Sequence, residues 1–154
     1  MMIYYFEDPE KQAQLKQILD SWLGTSFRHH CAVKGLGADC IHFVAKVYEE
    51  MGLLIWKKGL IPDYSVDFHL HNTRSLLKET LDSKPAGINL EAVPIENPMN
   101  GDIMIAFYGK TASHAMIYFD GYIYQAVHGV GVVKINFKDN VFSKAIRYNY
   151  RVVA

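Results

Sequence analysis

The chain contains few cysteines and no excess of charge of either sign. Of its 154 residues two are cysteine, and 16 lysines and arginines balance 16 aspartates and glutamates. Two cysteines are too few for a disulfide framework, which indicates synthesis in a reducing compartment. A neutral chain without a run of like charge gives no electrostatic reason to expect a nucleic acid or a membrane surface as a partner.

Long hydrophobic runs, repeats and low-complexity tracts are also missing. No stretch is long and apolar enough to span a bilayer, and residues 1–8 lack the basic flank and apolar core of a signal peptide. We therefore expect synthesis in the cytoplasm without a signal peptide. Because 50% of the residues are hydrophobic, the chain can bury a core, and residues 1–154 are predicted to form a single domain.

Helical periodicity is concentrated in the first half of the chain. Apolar residues recur at helical spacing from Glu10 to Leu23, and again in a segment that begins at Asp39 or Cys40 and ends near Gly52. A short third helix is predicted from Asn72 to about Asp82. These three segments should form the helical layer of the fold.

The second half of the chain is predicted to form strands. From Ser83 the sequence is rich in proline, glycine and asparagine and is interpreted as a loop. Five predicted strands then follow, at Asp102–Phe107, Ser113–Phe119, Tyr122–His128, Val132–Phe137 and Ala145–Val153. Helices that precede strands with short connections indicate an α+β fold with a largely antiparallel sheet of about five strands.

Cys40 is the first candidate for chemistry. A glycine-rich stretch, residues 35–39, leads to it at the start of the second predicted helix, where Asp39 can cap the first turn. The free amides and the helix dipole there favour negative charge, so the position predicts a lowered thiol pKa and a place to hold an oxyanion. A buried structural cysteine is the alternative interpretation.

A cysteine nucleophile needs a base, and the base usually needs a third group that orients its ring. Among the seven histidines, His114 lies at the start of a predicted strand inside an apolar run. A strand is a rigid platform for a catalytic base. An ordinary, partly buried histidine is the competing interpretation.

The hairpin that follows His114 selects a third group. If Asp120-Gly121 forms a two-residue type I′ turn, the residues on either side of it pair. Counting back from this turn puts His114 and Gln125 on the same face as diagonal neighbours, within reach of a hydrogen bond from an imidazole N–H to the amide oxygen. His128 falls on the opposite face unless a bulge intervenes, and it is the alternative third member.

Taken in order, these segments resemble the NlpC superfamily of cell-wall cysteine peptidases, and most closely its branch of tail-associated peptidases from bacteriophages and prophages. Five motifs carry the resemblance: W-L-G-T-P-[YW]-R-x at residues 22–29, G-x-G-x-D-C at 35–40, P-G-D-[VI]-[LV]-[LV] at 98–105 with Asn100 inserted, the histidine strand at 113–117, and M-I-H-A…G-V-V at 123–133.

The resemblance implies a papain-like α+β fold in which the cysteine helix packs against the sheet. It also implies hydrolysis of an amide bond in peptidoglycan stem peptides, typically between D-γ-glutamyl and a diamino acid. Carried over by position, Cys40 is the nucleophile, His114 the general base and later the acid, and Gln125 the orienting residue where many relatives carry histidine. Neither a cofactor nor a metal is expected.

The same resemblance nominates substrate- and oxyanion-binding residues, namely Phe27, Arg28, Asp39 and Ile41. Phe27 stands where the family often has tyrosine, so a hydroxyl that could assist the oxyanion is missing. Arg28 fits either a structural role or contact with a substrate carboxylate. Ile41 and His42 replace the small residues that usually follow the nucleophile.

Two other functions compete with that of a peptidase. A catalytically weak or inactive domain of the same fold could be a binding or structural part of a phage tail or envelope assembly, which would suit the departures at Phe27 and Ile41-His42. A zinc site matching no common motif could be drawn from His29, His30, Cys31, Cys40 and His114. A wall peptidase without its own signal has to be delivered, for example as a virion-associated component of a phage tail.

Overall fold

Helices occupy the first half of the chain and strands the second half in the computed structural model. The structure describes residues 2–57, 59–61, 76–83, 87–108, 111–138 and 141–154. The helices are α1 (Pro9–Trp22), α2 (Cys40–Glu50) and α3 (Leu76–Asp82), with 3-10 turns at Tyr5–Glu7 and Val141–Ala145. The strands are β1 (Ala32–Val33), β2 (Gly37–Ala38), β3 (Leu90–Val93), β4 (Ile103–Tyr108), β5 (Thr111–Phe119), β6 (Tyr122–Val127), β7 (Gly131–Asn136) and β8 (Ile146–Val152).

Helix α1 begins one residue before the predicted span of 10–23 and ends one residue before its end. The Asp8 carboxylate accepts a hydrogen bond from the Glu10 amide at 2.9 Å, and Pro9 occupies the first helical position. Proline suits that position because the N–H that it lacks would have no partner inside the helix. The buried side chains of the helix recur at helical spacing, at Leu15, Leu19 and Trp22.

Helix α2 begins at Cys40 with Asp39 as its cap, as the sequence predicts, and ends at Glu50 before Gly52. Seven of its side chains are buried, and the helix packs against β5 and β6. Helix α3 ends at Asp82, in agreement with the prediction. The predicted start of α3, at Asn72, lies outside the described residues.

The described strands form a six-stranded antiparallel sheet and a separate two-stranded one. The large sheet has the order β3-β8-β4-β5-β6-β7, and the five predicted strands are present in it as β4 to β8. The interpretation of the whole stretch after Ser83 as loop is wrong for β3, which pairs with β8 along residues 90–93. The four residues of β3 have no clear strand pattern of their own. This edge strand forms because β8, which is distant in sequence, pairs with it.

Apolar side chains cover both faces of the sheet. Along β4, Ile103 and Ile105 join the main core with α1 and α2. Met104 and Ala106 alternate with them and join a second, smaller cluster on the other face, with Met116, Ile123 and Ile146. Residues 103–106 of β4 therefore form a continuous apolar run, because the side chains on both faces of this stretch are buried.

A buried carboxylate ties the motif at residues 98–102 to the last strand. Asp102, which is fully buried, accepts two hydrogen bonds from the Arg151 guanidinium, both at 2.9 Å. It also accepts one from the Asn149 amide at 3.0 Å and one from the Met99 backbone at 2.9 Å. The aspartate of this motif thus fixes the start of β4 against β8.

Replacement of Asp102 by asparagine should lower the free energy of unfolding by about 3 kcal/mol, because Arg151 would keep its charge without a counter-charge. Urea denaturation at neutral pH measures this change. Glu96→Gln, at an exposed position, is the matched control and should change the stability little. Equal stability of Asp102→Asn and the unmodified protein would contradict the assigned role.

Candidate active site

Backbone hydrogen bonds hold Phe27 and Arg28 beside the loop that leads to Cys40. The Ala38 amide donates to the Ser26 carbonyl at 3.0 Å, and the Arg28 amide donates to the Ala38 carbonyl at 3.1 Å. Gly37 makes this approach possible, because a Cβ at that position would lie 2.4 Å from Cδ of Arg28. The aliphatic part of Arg28 therefore lies across the glycine.

The Phe27 ring packs against the ring of His128. Their ring centroids are 5.1 Å apart in an edge-to-face arrangement. His128 follows the end of β6 and is exposed, whereas Gln125 within β6 is fully buried. The alternative third member of the site thus lies at the rim, next to Phe27.

Asp39 is the buried cap of α2. Its Oδ1 accepts hydrogen bonds from the backbone N–H of His42 at 2.9 Å and from Nδ1 of the same residue at 2.7 Å, and its Oδ2 accepts one from the His30 amide at 2.8 Å. Burial raises the pKa of Asp39, but the bonds from His42 and His30 outweigh it and hold the pKa below its usual value. The carboxylate is therefore ionised, and its contact with a substrate stays a prediction.

The Cys40 thiol lies against the backbone of β5. Its Sγ is 3.7 Å from the carbonyl oxygen of Ser113, and the amide of Ala115 also interacts with it. These two residues flank His114. The start of α2 and the histidine strand therefore meet at residues 113–115.

The environment of the thiol favours its neutral form. Burial, followed by the negative charge of Asp39, raises the pKa of Cys40 to about 12, although the backbone amides of Ala115, Ile41 and Cys40 itself act in the opposite direction. The amides at the start of α2 lower this pKa as expected, but the expectation that the net thiol pKa is lowered is wrong. The dipole and free amides are present, but desolvation and an adjacent carboxylate outweigh them. The Ile41 side chain is itself buried in the core, so its backbone amide is what it offers to the site.

The hairpin register puts His114 and Gln125 together as predicted. Asp120 and Gly121 both have positive φ, at 48° and 84°, as a type I′ turn requires. Phe119 pairs with Tyr122 across this turn. His114 Nε2 and Gln125 Oε1 are 2.7 Å apart.

Burial and the bond to Gln125 determine the state of the His114 ring. Burial lowers the pKa of His114 to about 4, although the Gln125 bond raises it in part. The ring is therefore neutral at pH 7. Since an amide oxygen can only accept, Nε2 carries the proton and Nδ1 is left as the basic nitrogen. This is the form that a general base needs.

Sequence reasoning missed the bond between His42 and Asp39. The signal was available as the i, i+3 spacing of a carboxylate and an imidazole in the first helical turn. It also missed the backbone groups of β5 that contact the thiol, which no local pattern reveals. Among the residues that the structure describes, no three His, Cys, Asp or Glu side chains are grouped so that they could hold a metal ion. Nor is any helix in these ranges long and apolar enough to cross a membrane.

Comparison with known proteins shows similarity in fold but not in sequence. No family model matches the chain, and no curated protein matches it. A solved structure described as similar to lipoprotein, NLP/P60 family, from Staphylococcus aureus superposes with a TM-score of 0.62 at 16% identity, covering 96% of this chain and 43% of that one.

Two further solved structures give the same result. NlpC2 from Trichomonas vaginalis has a TM-score of 0.61 at 11% identity and covers 94% of this chain and 48% of its own. An NlpC/P60 family protein from Bacillus cereus has a TM-score of 0.59 at 20% identity, with 90% and 39% covered. This chain spans less than half the length of each of these proteins. The comparison confirms the α+β fold with an antiparallel sheet and shows that it is like that of NlpC/P60 proteins.

The depressed pKa of His114 predicts a pH-dependent stability. Between the ordinary histidine value of 6.5 and the folded value of about 4, the unfolded chain binds a proton that the folded protein does not. The free energy of unfolding should therefore fall by up to about 3 kcal/mol as pH drops through this window. Urea denaturation at pH 7.5 and pH 4.5 measures the loss.

His114→Gln provides the comparison, because it removes the titrating group while keeping an amide next to Gln125. The difference between the stability profiles of the variant and the unmodified protein gives the contribution of His114, because the other titrating groups are common to both. Parallel profiles for the variant and the unmodified protein would contradict a buried, neutral His114.

Proposed function

We propose that this protein is a cysteine peptidase that hydrolyses an amide bond in peptidoglycan stem peptides, between D-γ-glutamyl and a diamino acid. One observation carries the proposal: a cysteine at the capped start of a helix meets the strand on which a buried histidine is oriented by a glutamine. The NlpC/P60-like fold supports the same conclusion.

In the proposed first step, proton transfer accompanies attack. At rest both the Cys40 thiol and the His114 imidazole are neutral, because burial disfavours the charged form of each. When the scissile carbonyl binds against Sγ, Nδ1 of His114 takes the thiol proton as the S–C bond forms. The negative charge passes to the carbonyl oxygen, which we expect the backbone amides of Cys40 and Ile41 to stabilise.

The second half of the reaction uses the same histidine as an acid. The imidazolium returns its proton to the leaving amine as the C–N bond breaks, which leaves an acyl group on Cys40 as a thioester. His114 then removes a proton from water, and attack on the thioester releases the acid and regenerates the thiol. Gln125 keeps the ring oriented throughout by accepting from Nε2.

Arg28 is proposed to recognise the substrate. A γ-linked D-glutamyl residue has a free α-carboxylate, which a guanidinium binds well. Arg28 is exposed, and its stem lies across Gly37 three residues before Cys40. Phe27, with His128 against it, would line the neighbouring rim of the site.

Delivery to the cell wall is part of the proposal. We propose that it reaches the wall as a component of a phage or prophage tail, the branch of the family that the sequence resembles most. Antibody detection in purified virions or tail particles tests this point. Absence of the protein from such particles would contradict delivery by a phage tail and would leave the chemistry of the site unaffected.

The direct test is hydrolysis of L-Ala-γ-D-Glu-diamino acid peptide, followed by mass spectrometry of the products. The unmodified protein and Cys31→Ser should release the diamino acid, whereas Cys40→Ala and His114→Ala should not. Failure of the unmodified protein to cleave any stem peptide would refute the proposal. If the unmodified protein and Cys40→Ala then both bound peptidoglycan, the domain would instead be a binding module.

Replacement of Gln125 tests whether the orientation of the His114 ring matters for activity, because His114 itself stays in place. Gln125→Leu removes the acceptor for Nε2 and should lower kcat/KM about 10- to 100-fold. Gln125→His, the residue of many relatives, should retain more activity. Gln125→Glu places a carboxylate on the ring, which raises the pKa of His114 and should move the acidic limb of the pH profile to higher pH. If all three variants had the same kcat/KM as the unmodified protein, the orienting role of Gln125 would be contradicted.

A further inference from the structure

The regular pairing of β4 is interrupted on both of its sides at the same level of the sheet. Its pairing with β5 shifts by one residue between Ala106 and Phe107, which leaves Ser113 as an extra residue next to His114. Its pairing with β8 shifts just before Ala106, which leaves Arg147 as the extra residue on that side. Bulges of this kind change the direction of a side chain and are frequent next to active sites.

Both bulges lie close to the candidate nucleophile and base. The carbonyl oxygen of the extra residue in β5 is 3.7 Å from Sγ of Cys40. Ala106 pairs with His114 on one side and with Ile146 on the other. The backbones of His114 and Ile146 are therefore two strand spacings apart, about 10 Å. Arg147 follows Ile146 directly, so its long side chain starts within reach of a substrate bound at the site.

The Arg147 guanidinium is held in a defined position. Its Cζ lies 4.9 Å from the centroid of the Phe107 ring, and its Nη1 donates to the Ile146 carbonyl at 3.2 Å. Phe107 continues the alternation of Ile103 and Ile105 along β4, and those two side chains belong to the core that includes α2. The ring and the guanidinium over it therefore lie on the face of the sheet on which α2 packs.

Arg147 has no counter-charge within the described ranges of the chain. Its side chain is exposed there without an ion pair, whereas Arg151 on the same strand is paired with the buried Asp102. A guanidinium has five N–H donors, and a carboxylate that binds side-on uses two of them. Since Arg147 uses one donor on the Ile146 carbonyl, enough remain to bind an anionic group of a ligand.

We propose that Arg147, held over Phe107, is a specificity-determining residue that binds a carboxylate of the leaving diamino acid. The inference rests on the proposed function and names what the site recognises beyond the scissile bond. Arg28 lies on the side of Phe27 and β6, whereas Arg147 lies on the side of β4 and β8, with the strand of His114 between them. The two arginines thus bind the two halves of the substrate.

Two carboxylates of the leaving group have the required chemistry. One is the α-carboxylate of a diamino acid that ends the peptide, and the other is the second carboxylate of a diamino dicarboxylic acid. The test therefore measures kcat/KM for three peptides, L-Ala-γ-D-Glu-X, in which X is lysine, lysine amide, or a diamino dicarboxylic acid whose α-carboxylate is amidated. The preferred carboxylate peptide identifies which group Arg147 binds.

The unmodified protein should cleave at least one carboxylate peptide about 3- to 10-fold better than the lysine amide peptide, as expected for a charge-assisted hydrogen bond at an exposed site. Arg147→Gln should abolish this preference. Its kcat/KM for the lysine amide peptide should stay unchanged, which also shows that the variant is folded.

Two further variants serve as controls. Arg28→Gln should lower kcat/KM for all three peptides and keep their ratios, because each has the same D-glutamyl carboxylate. Lys144→Gln removes an exposed cation in the 3-10 turn before β8 and should change none of the rates. Equal kcat/KM for the three peptides, or a preference that persists in Arg147→Gln, would overturn the inference and leave the peptidase standing. Failure of the unmodified protein to cleave any of them would overturn both.

Discussion

The site depends on one buried hydrogen bond, between Nε2 of His114 and Oε1 of Gln125. A histidine removed from water would otherwise be free to adopt either tautomer and several ring orientations. The amide oxygen selects the Nε2–H tautomer and leaves Nδ1 as the base, and the hairpin turn at residues 120–121 sets the register that brings the two side chains together. Burial of both residues keeps water from competing for the bond.

The same burial determines how the cysteine can react. It raises the pKa of the thiol and lowers that of the imidazole, so a resting thiolate–imidazolium pair is disfavoured. In the proposed reaction, proton transfer is therefore coupled to attack on a bound carbonyl, and the amides at the start of α2 stabilise the developing oxyanion. Asp39 adds to the upward shift of the Cys40 pKa, because the residue that caps α2 also places a negative charge beside the thiol.

Much of the fold and of the pairing at the site could be predicted from local sequence. The cap at Asp39 defines the start of α2, and the turn at Asp120-Gly121 defines which residue faces His114. Tertiary structure decided the rest. Strand β3 exists through its pairing with β8, more than 50 residues away in sequence. The pKa of Cys40 follows from burial against β5, which the helical position of the cysteine does not reveal.

The state of the His114 ring is the central claim, and nitrogen NMR of the protein with ¹⁵N-labelled histidine measures it directly. His114→Gln assigns the two ring resonances by their disappearance. The account predicts a neutral ring at pH 7, with Nε2 protonated and Nδ1 unprotonated. The ring should take up a second proton only near its pKa of about 4. An imidazolium at pH 7, or a neutral ring protonated at Nδ1, would contradict it.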